Sequence, residues 1–201
     1  EILFDYDDNK YECSAKSAFL PKSRLQVYFL ENEDRFGDLN NLLFKSKNGR
    51  FLSDNDIRFA FYSLASIKML PNLFWFPNII ICNGWTSALV PFLLKNLAEK
   101  NKELSKIKTI YLASSLNKDV IFDHSNLPYN SETLNELKSY NLNQIGCAYS
   151  DATIVIDDEE KALSTLLDRG IKYLNEVVEE IKAKGEKQLS GDIAFYLYDT
   201  L

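Results

Sequence analysis

Residues 78–95 read NIIICNGWTSALVPFLLK, and the reading of this stretch decides the fold. Asn78 to Cys82 is a continuous apolar run, the mark of a strand buried on both faces, as in a parallel sheet. Gly84 follows at a turn. Thr86 or Ser87 is placed to cap a helix in which Leu89, Phe92, Leu93 and Leu97 share one face. Two further strands follow downstream, IKTIYLA at 107–113 and ATIVI at 152–156, with a helix expected from Ser131 to about Tyr140 between them. Strand alternating with helix is the pattern of a parallel α/β sheet with right-handed crossovers. Ligands bind such sheets beyond the C-terminal strand ends. The positions to inspect are therefore 83–86, 114–118 and 156–158.

Working outward, residues 14–20 and LQVYFL at 25–30 are expected as strands, the second ending in the polar cluster Glu31 to Asp34. Residues 35–53, with Gly37 and Gly49, are expected as an extended loop. Ser53 or Asp54 caps a helix that carries Ile57, Phe61 and Leu64, runs to about Leu70 and is stopped by Pro71. Residues 114–130 form a polar loop that holds His124. Asp157 to Glu160 place negative charge on the first turn of a long helix, where the dipole favours it. That helix is interrupted near Gly170 and resumes over 171–184, before a last strand at 194–198.

Composition narrows the function. The chain has 201 residues, 46% hydrophobic and 26% charged, which is ordinary for a globular domain. Its net charge of −6 argues against nucleic acid, because phosphate binding needs a basic face. No apolar run reaches the ~20 residues of a membrane span, so no membrane partner is expected and the cytoplasm is the expected location. The three cysteines show no metal or disulfide spacing, and a single histidine excludes chemistry that needs two. No cofactor and no metal are expected.

Several segments together carry a resemblance. NIIICNGWTSALVPFLLK resembles the signature of glycogen and starch synthases, in which Pro-Asp-Val-Ile-His-x-His-Asp-Trp-His-Thr-Ala-Leu-x-Pro is usual. QVYFLENEDRFG (Gln26 to Gly37) and SDNDIRFAFYS (Ser53 to Ser63) resemble the family's Val-Tyr-Phe-x-Asp-Asn-x-x-x-Phe and Asp-Asn-x-x-Arg-Phe-Ala-Phe-Phe segments. KTIYLASSL (Lys108 to Leu116) sits where the family has its Thr-Ile-His-Asn-Leu strand end, and AYSDATIVID (Ala148 to Asp157) resembles a further strand. Order and spacing agree over about residues 25–160, most similar to short, single-domain glycogen synthase-like proteins.

The resemblance implies a Rossmann-like parallel sheet with helices on both faces, one half of a GT-B fold. It implies glucosyl transfer from ADP-glucose or UDP-glucose to an α-1,4-glucan in glycogen synthesis. Residues 1–201 are then expected to be one N-terminal, acceptor-side domain, with its start lying before Glu1. The family's Lys-x-Gly-Gly loop has no counterpart, and its donor-binding domain is not expected here. The signature aspartate aligns with Gly84, and the flanking histidines with Ile81, Asn83 and Thr86. The strand-end histidine and asparagine align with Ser114 and Ser115. Of the family's polar set in this domain, only Trp85 is kept by identity.

No catalytic residue is therefore assigned, and the isolated chain is expected to be inactive. The candidate cleft remnant is Asn83, Gly84, Trp85, Ser114 and Ser115. For Trp85, a stacking platform beside a sugar stands against a core aromatic that closes the strand-to-helix turn. For Asn83 and the two serines, a cleft lining stands against ordinary loop capping. His124 reads as a surface loop histidine, Asp157 to Glu160 as a solvated helix start, and Cys82 as packing. The competing class is a non-catalytic domain that binds glucan or regulates, as a homodimer or with a partner subunit. Phe74, Trp75 and Phe76 are its candidate anchors, unless they pack under the preceding helix.

Overall fold

The structure, a computed structural model, describes residues 2–6, 9–37, 43–113, 137 and 140–155. Two three-stranded sheets organise them. The first is antiparallel, in the order β1 (Ile2–Tyr6), β2 (Asn9–Phe19), β3 (Gln26–Glu31). The second is parallel, in the order β4 (Ile79–Asn83), β5 (Lys108–Ala113), β6 (Ala152–Val155). The helices are α1 (Glu33–Phe36), α2 (Asn55–Asn72), α3 (Val90–Ala98) and α4 (Leu142–Tyr149). The parallel sheet and the helices following its strands are the α/β architecture expected from residues 78–113. No described helix is long and apolar enough to cross a membrane.

Helix α2 sits between the two sheets. Twelve of its eighteen residues are buried, among them Phe59, Phe61, Leu64, Ile67 and Leu70. A helix apolar around most of its circumference must be covered on more than one side. Ile2, Phe4 and Cys13 of the antiparallel sheet, α2, α3 and Ile145 of α4 share one core with Ile80, Cys82, Tyr111 and Ala113 of the parallel sheet. The opposite face of the parallel sheet forms a second apolar cluster, with Ile110 and Ala152 buried among Ile79, Ile81, Leu112 and Ile154. The alternation follows the strand register, in which Ile81 faces Ile110 and Ile110 faces Ala152. Asp151 staples β5 to β6, accepting from the Thr109 backbone N–H at 2.8 Å and from its hydroxyl at 3.1 Å.

The structure differs from the sequence reading at several element boundaries. Strand β2 spans eleven residues and pairs with β1, which was not expected. Its core positions are Tyr11, Cys13 and Ala15, so small and polar residues mask the period of two. Helix α2 includes Pro71 in its last turn and is closed off just past its end by Phe74, at φ 51. Trp75 N–H donates to Leu70 O and Phe74 N–H to Pro71 O, the pairing of a Schellman closure with phenylalanine where glycine is usual. Phe74 is 92% exposed, whereas Trp75 and Phe76 are half-buried against the core and Trp75 stacks on Tyr28. Residues 35–53 are not wholly loop: α1 ends at Phe36, and Lys45 bridges Phe51 around a turn at Gly49.

Helix α4 was missed because it is short and carries Gly146. A reciprocal capping box starts it: Asn141 Oδ1 accepts from Gln144 N–H, and Gln144 Oε1 accepts from Asn141 N–H. Gly146 is required, because a Cβ there would lie 2.6 Å from the buried Tyr111 ring. The expected helix from Ser131, the long helix after Asp157, the last strand and the loop with His124 lie outside the described residues, apart from Leu137 and Tyr140.

Candidate functional site

The site forms where β4 ends. Gly84 continues the parallel pairing, its N–H donating to Leu112 O at 2.9 Å, and then takes φ 67, ψ −179. That backbone region is essentially closed to residues with a Cβ. The chain turns there into one turn of 3-10 helix, Trp85–Ser87, which leads to α3. The N-cap of the following helix falls at Leu89, where Thr86 or Ser87 was expected, and Ser87 does not act as a capping acceptor. Its one hydroxyl proton is instead shared backward, between Asn83 O at 3.0 Å and Gly84 O at 3.2 Å. Pro91 occupies the first turn of α3, where a missing N–H does no harm. The strand end is thus held by the Gly84–Leu112 bond, the shared Ser87 hydroxyl and the Ser87 N–H, which donates to Gly84 O at 3.2 Å.

Asn83 is half-buried and lies in register with Leu112, on the sheet face that carries Ile79 and Ile81. Trp85 is only 7% exposed. Its ring meets Phe59 edge-on at 5.0 Å, Phe44 edge-on at 5.4 Å and Phe51 at 5.9 Å. Trp85 therefore closes the turn from inside, packed among three phenylalanines. Ser114 and Ser115 lie outside the described residues.

Charge near the strand end is sparse. Lys45 is one described cation of this region, with Nζ 5.4 Å from the Phe44 ring centre and 5.3 Å from that of Phe51, and Arg58 is a second, buried beside Phe59. Cys82 is fully enclosed, and burial pushes its thiol well up from the usual range, which suits packing and not nucleophilic attack. A gap of about 20 Å³ beside it, lined by Tyr62, Ile67, Ile80 and Val90, is too small for a sugar. No three His, Cys, Asp or Glu side chains converge as metal ligands among the described residues.

Sequence reasoning missed the residues that brace this turn: Phe44, Phe51, Asn55, Arg58 and Phe59. The signal for two of them was present. Asn55 and Arg58 are three apart, so they share one face of α2. Nothing in the spacing says that residues 43–52 fold onto that face.

Comparison with known proteins places this arrangement. A family model described as the starch synthase catalytic domain matches residues 4–161. A glycogen synthase of Chlorobium limicola is 37% identical over 95 residues, covering 47% of this chain and 19% of that protein. A glycogen synthase of Lactococcus lactis is 37% identical over 93 residues, covering 45% of this chain and 17% of its own length. The chain matches only about a fifth of the length of these relatives. The catalytic domain of starch synthase IV from Arabidopsis thaliana, solved with ADP and acarbose bound, superposes with TM-score 0.62 over 91% of this chain and 38% of that one. At 18% identity, that likeness speaks for the fold, one half of the GT-B arrangement.

Proposed function

The chain belongs to the starch synthase catalytic domain family, and from that premise we propose that it forms the acceptor-side domain of a glycogen synthase-like glucosyltransferase. In this reading residues 1–201 are one domain. Its parallel strand ends hold an α-1,4-glucan at Asn83, Gly84, Ser114 and Ser115, with Trp85 bracing the turn from inside. The reaction served is transfer of glucose from ADP-glucose or UDP-glucose to the glucan's non-reducing end, in glycogen synthesis.

The observation that carries the reading is the family match across β4, β5 and β6, combined with the Gly84 turn at the strand end. A glucosyl transfer must stabilise a departing diphosphate with positive charge and oriented donors. It must also stabilise an oxocarbenium-like centre with nearby acceptors. Gly84 has no side chain to offer where the resembling signature has its aspartate. Losing one such preorganised group costs a factor of ~10² to 10³. In this reading the polypeptide by itself holds acceptor and turns over no detectable donor.

The same turn favours a second reading, a non-catalytic glucan-binding or regulatory domain that works as a homodimer or with a partner subunit. The glycine-only backbone of Gly84 supports it, because an acid could not be placed there without strain. The experiment supplies labelled ADP-glucose and UDP-glucose with glycogen, and in parallel measures retardation of the chain in a glycogen-containing native gel. Retardation without incorporation supports the acceptor-side role. Incorporation above a no-protein control shows a self-sufficient enzyme and removes the claim of inactivity. Neither retardation nor incorporation removes both readings.

A further inference from the structure

Arg58 is the largest side chain fully enclosed in the described structure, 2% exposed in the first turns of α2. Its guanidinium ties the start of α2 to a neighbouring segment. Nη1 donates to Leu43 O at 2.9 Å, and Nη2 donates to Asn55 Oδ1 at 2.6 Å. Asn55 Nδ2 in turn donates to Phe44 O at 2.9 Å. Nε lies 3.3 Å from Asp54 Oδ2, an ion pair without hydrogen-bond geometry. The guanidinium carbon stands 6.0 Å from the Phe36 ring centre and 5.8 Å from that of Phe59.

A buried charge with this many fixed partners is costly to leave half-satisfied, so its geometry is over-determined. Arg58 and Asn55 together hold two successive carbonyls of the neighbouring segment: the guanidinium takes Leu43 O and the Asn55 amide takes Phe44 O. Beyond them, residues 44–52 close on themselves: Leu52 N–H donates to Phe44 O, and Ser46 N–H to Arg50 O. The two aromatics of this closed segment, Phe44 and Phe51, are those that pack on Trp85, and Phe59 completes the ring cluster from α2.

We infer that Arg58 is a positioning residue, which with Asn55 seats residues 43–52 against Trp85 and so fixes the wall beside the Gly84 turn. The planar fork matters as much as the charge. A guanidinium presents several donors in fixed directions and so reaches a carbonyl and an amide at once, whereas an ammonium is a point donor on a flexible stem. Arg58→Lys keeps the charge and loses the clamp. The consequence for glucan binding rests on the function proposed above, but the seating does not, and the two are read separately.

The experiment uses the full chain with Trp75→Phe, which leaves Trp85 as its one tryptophan. Acrylamide quenching of Trp85 and tryptic cleavage after Lys47 and Arg50 report the seating, and maltohexaose affinity reports the consequence. Arg58→Lys and Arg58→Met are compared with Ile67→Val, a core truncation of α2 that touches none of these groups. In the parent, cleavage in the β2–β3 turn after Lys22 or Arg24 precedes cleavage after Lys47 or Arg50. Both Arg58 variants raise quenching several-fold and speed cleavage after Lys47 and Arg50 at least tenfold, and Ile67→Val does neither. If the parent binds maltohexaose, the same variants weaken it about tenfold. If it does not, the proposed function fails and the seating result stands. Equal quenching and cleavage in Arg58→Lys and Ile67→Val overturn the inference. If the Arg58 variants do not fold, the parent decides: cleavage after Lys47 or Arg50 ahead of the β2–β3 turn overturns it.

Discussion

Replacing Gly84 with alanine tests the turn on which the functional reading stands. At φ 67, ψ −179 a residue with a Cβ is held at a cost of about 1–3 kcal/mol. Relaxing φ to a negative value is not an escape. It would pull Gly84 N–H from Leu112 O and swing two carbonyls away from the Ser87 hydroxyl. Those bonds contribute about 0.5–1.5 kcal/mol each, so the strained and the relaxed routes cost similar amounts. For a chain of this size each kcal/mol lowers Tm by about 2–4 °C, which places the alanine variant about 2–12 °C below the parent. Thermal unfolding followed by circular dichroism gives the value, and the near-ultraviolet band of Trp85 reports whether the turn relaxes. Gly84→Asp, which installs the acid of the resembling signature, falls by at least as much and gains no transferase activity. A Gly84→Ala Tm equal to that of the parent refutes the argument from backbone geometry.

The other end of α2 predicts the opposite sign. Phe74→Gly relieves a left-handed residue at the cost of added chain entropy and loses little packing, so the urea midpoint rises by the equivalent of about 0.5–1 kcal/mol. Gly146→Ala pushes a methyl into the Tyr111 ring and disturbs its 2.7 Å bond to Asn143, costing about 1–3 kcal/mol by chemical denaturation. Burial pushes Tyr62 up to about 12 and Cys82 upward too. Both groups are held neutral in the fold. Their contribution is therefore complete below the unfolded values and is lost as pH rises, for Tyr62 between about 10 and about 12. Unfolding measured in steps over that range should show stability falling with pH.

The parallel strands were legible because Ile79 to Cys82 and Ile110 to Ala113 are apolar without interruption, the pattern of a strand covered on both faces. The Gly84 turn was legible as punctuation, though not as a glycine-only conformation. Trp85 was legible as a choice between a platform and a core ring. The choice depended on Phe44 and Phe51, which stand over thirty residues upstream in a segment that reads as loop. The clamp that brings them there joins a side chain to backbone carbonyls, and carbonyls leave no trace in sequence. The first part of strand β2, ahead of the expected residues 14–20, and helix α4 were hidden for local reasons: Cys13 is a small core residue, and Gly146 is a helix breaker kept for a ring contact.

Amide chemical-shift mapping of the full chain during titration with maltohexaose tests the acceptor-side role most directly. The account predicts saturable shifts at Asn83, Gly84 and Trp85, with the remote β1–β2 pairing unmoved. Shifts confined to other regions, or none at millimolar glucan, would contradict it.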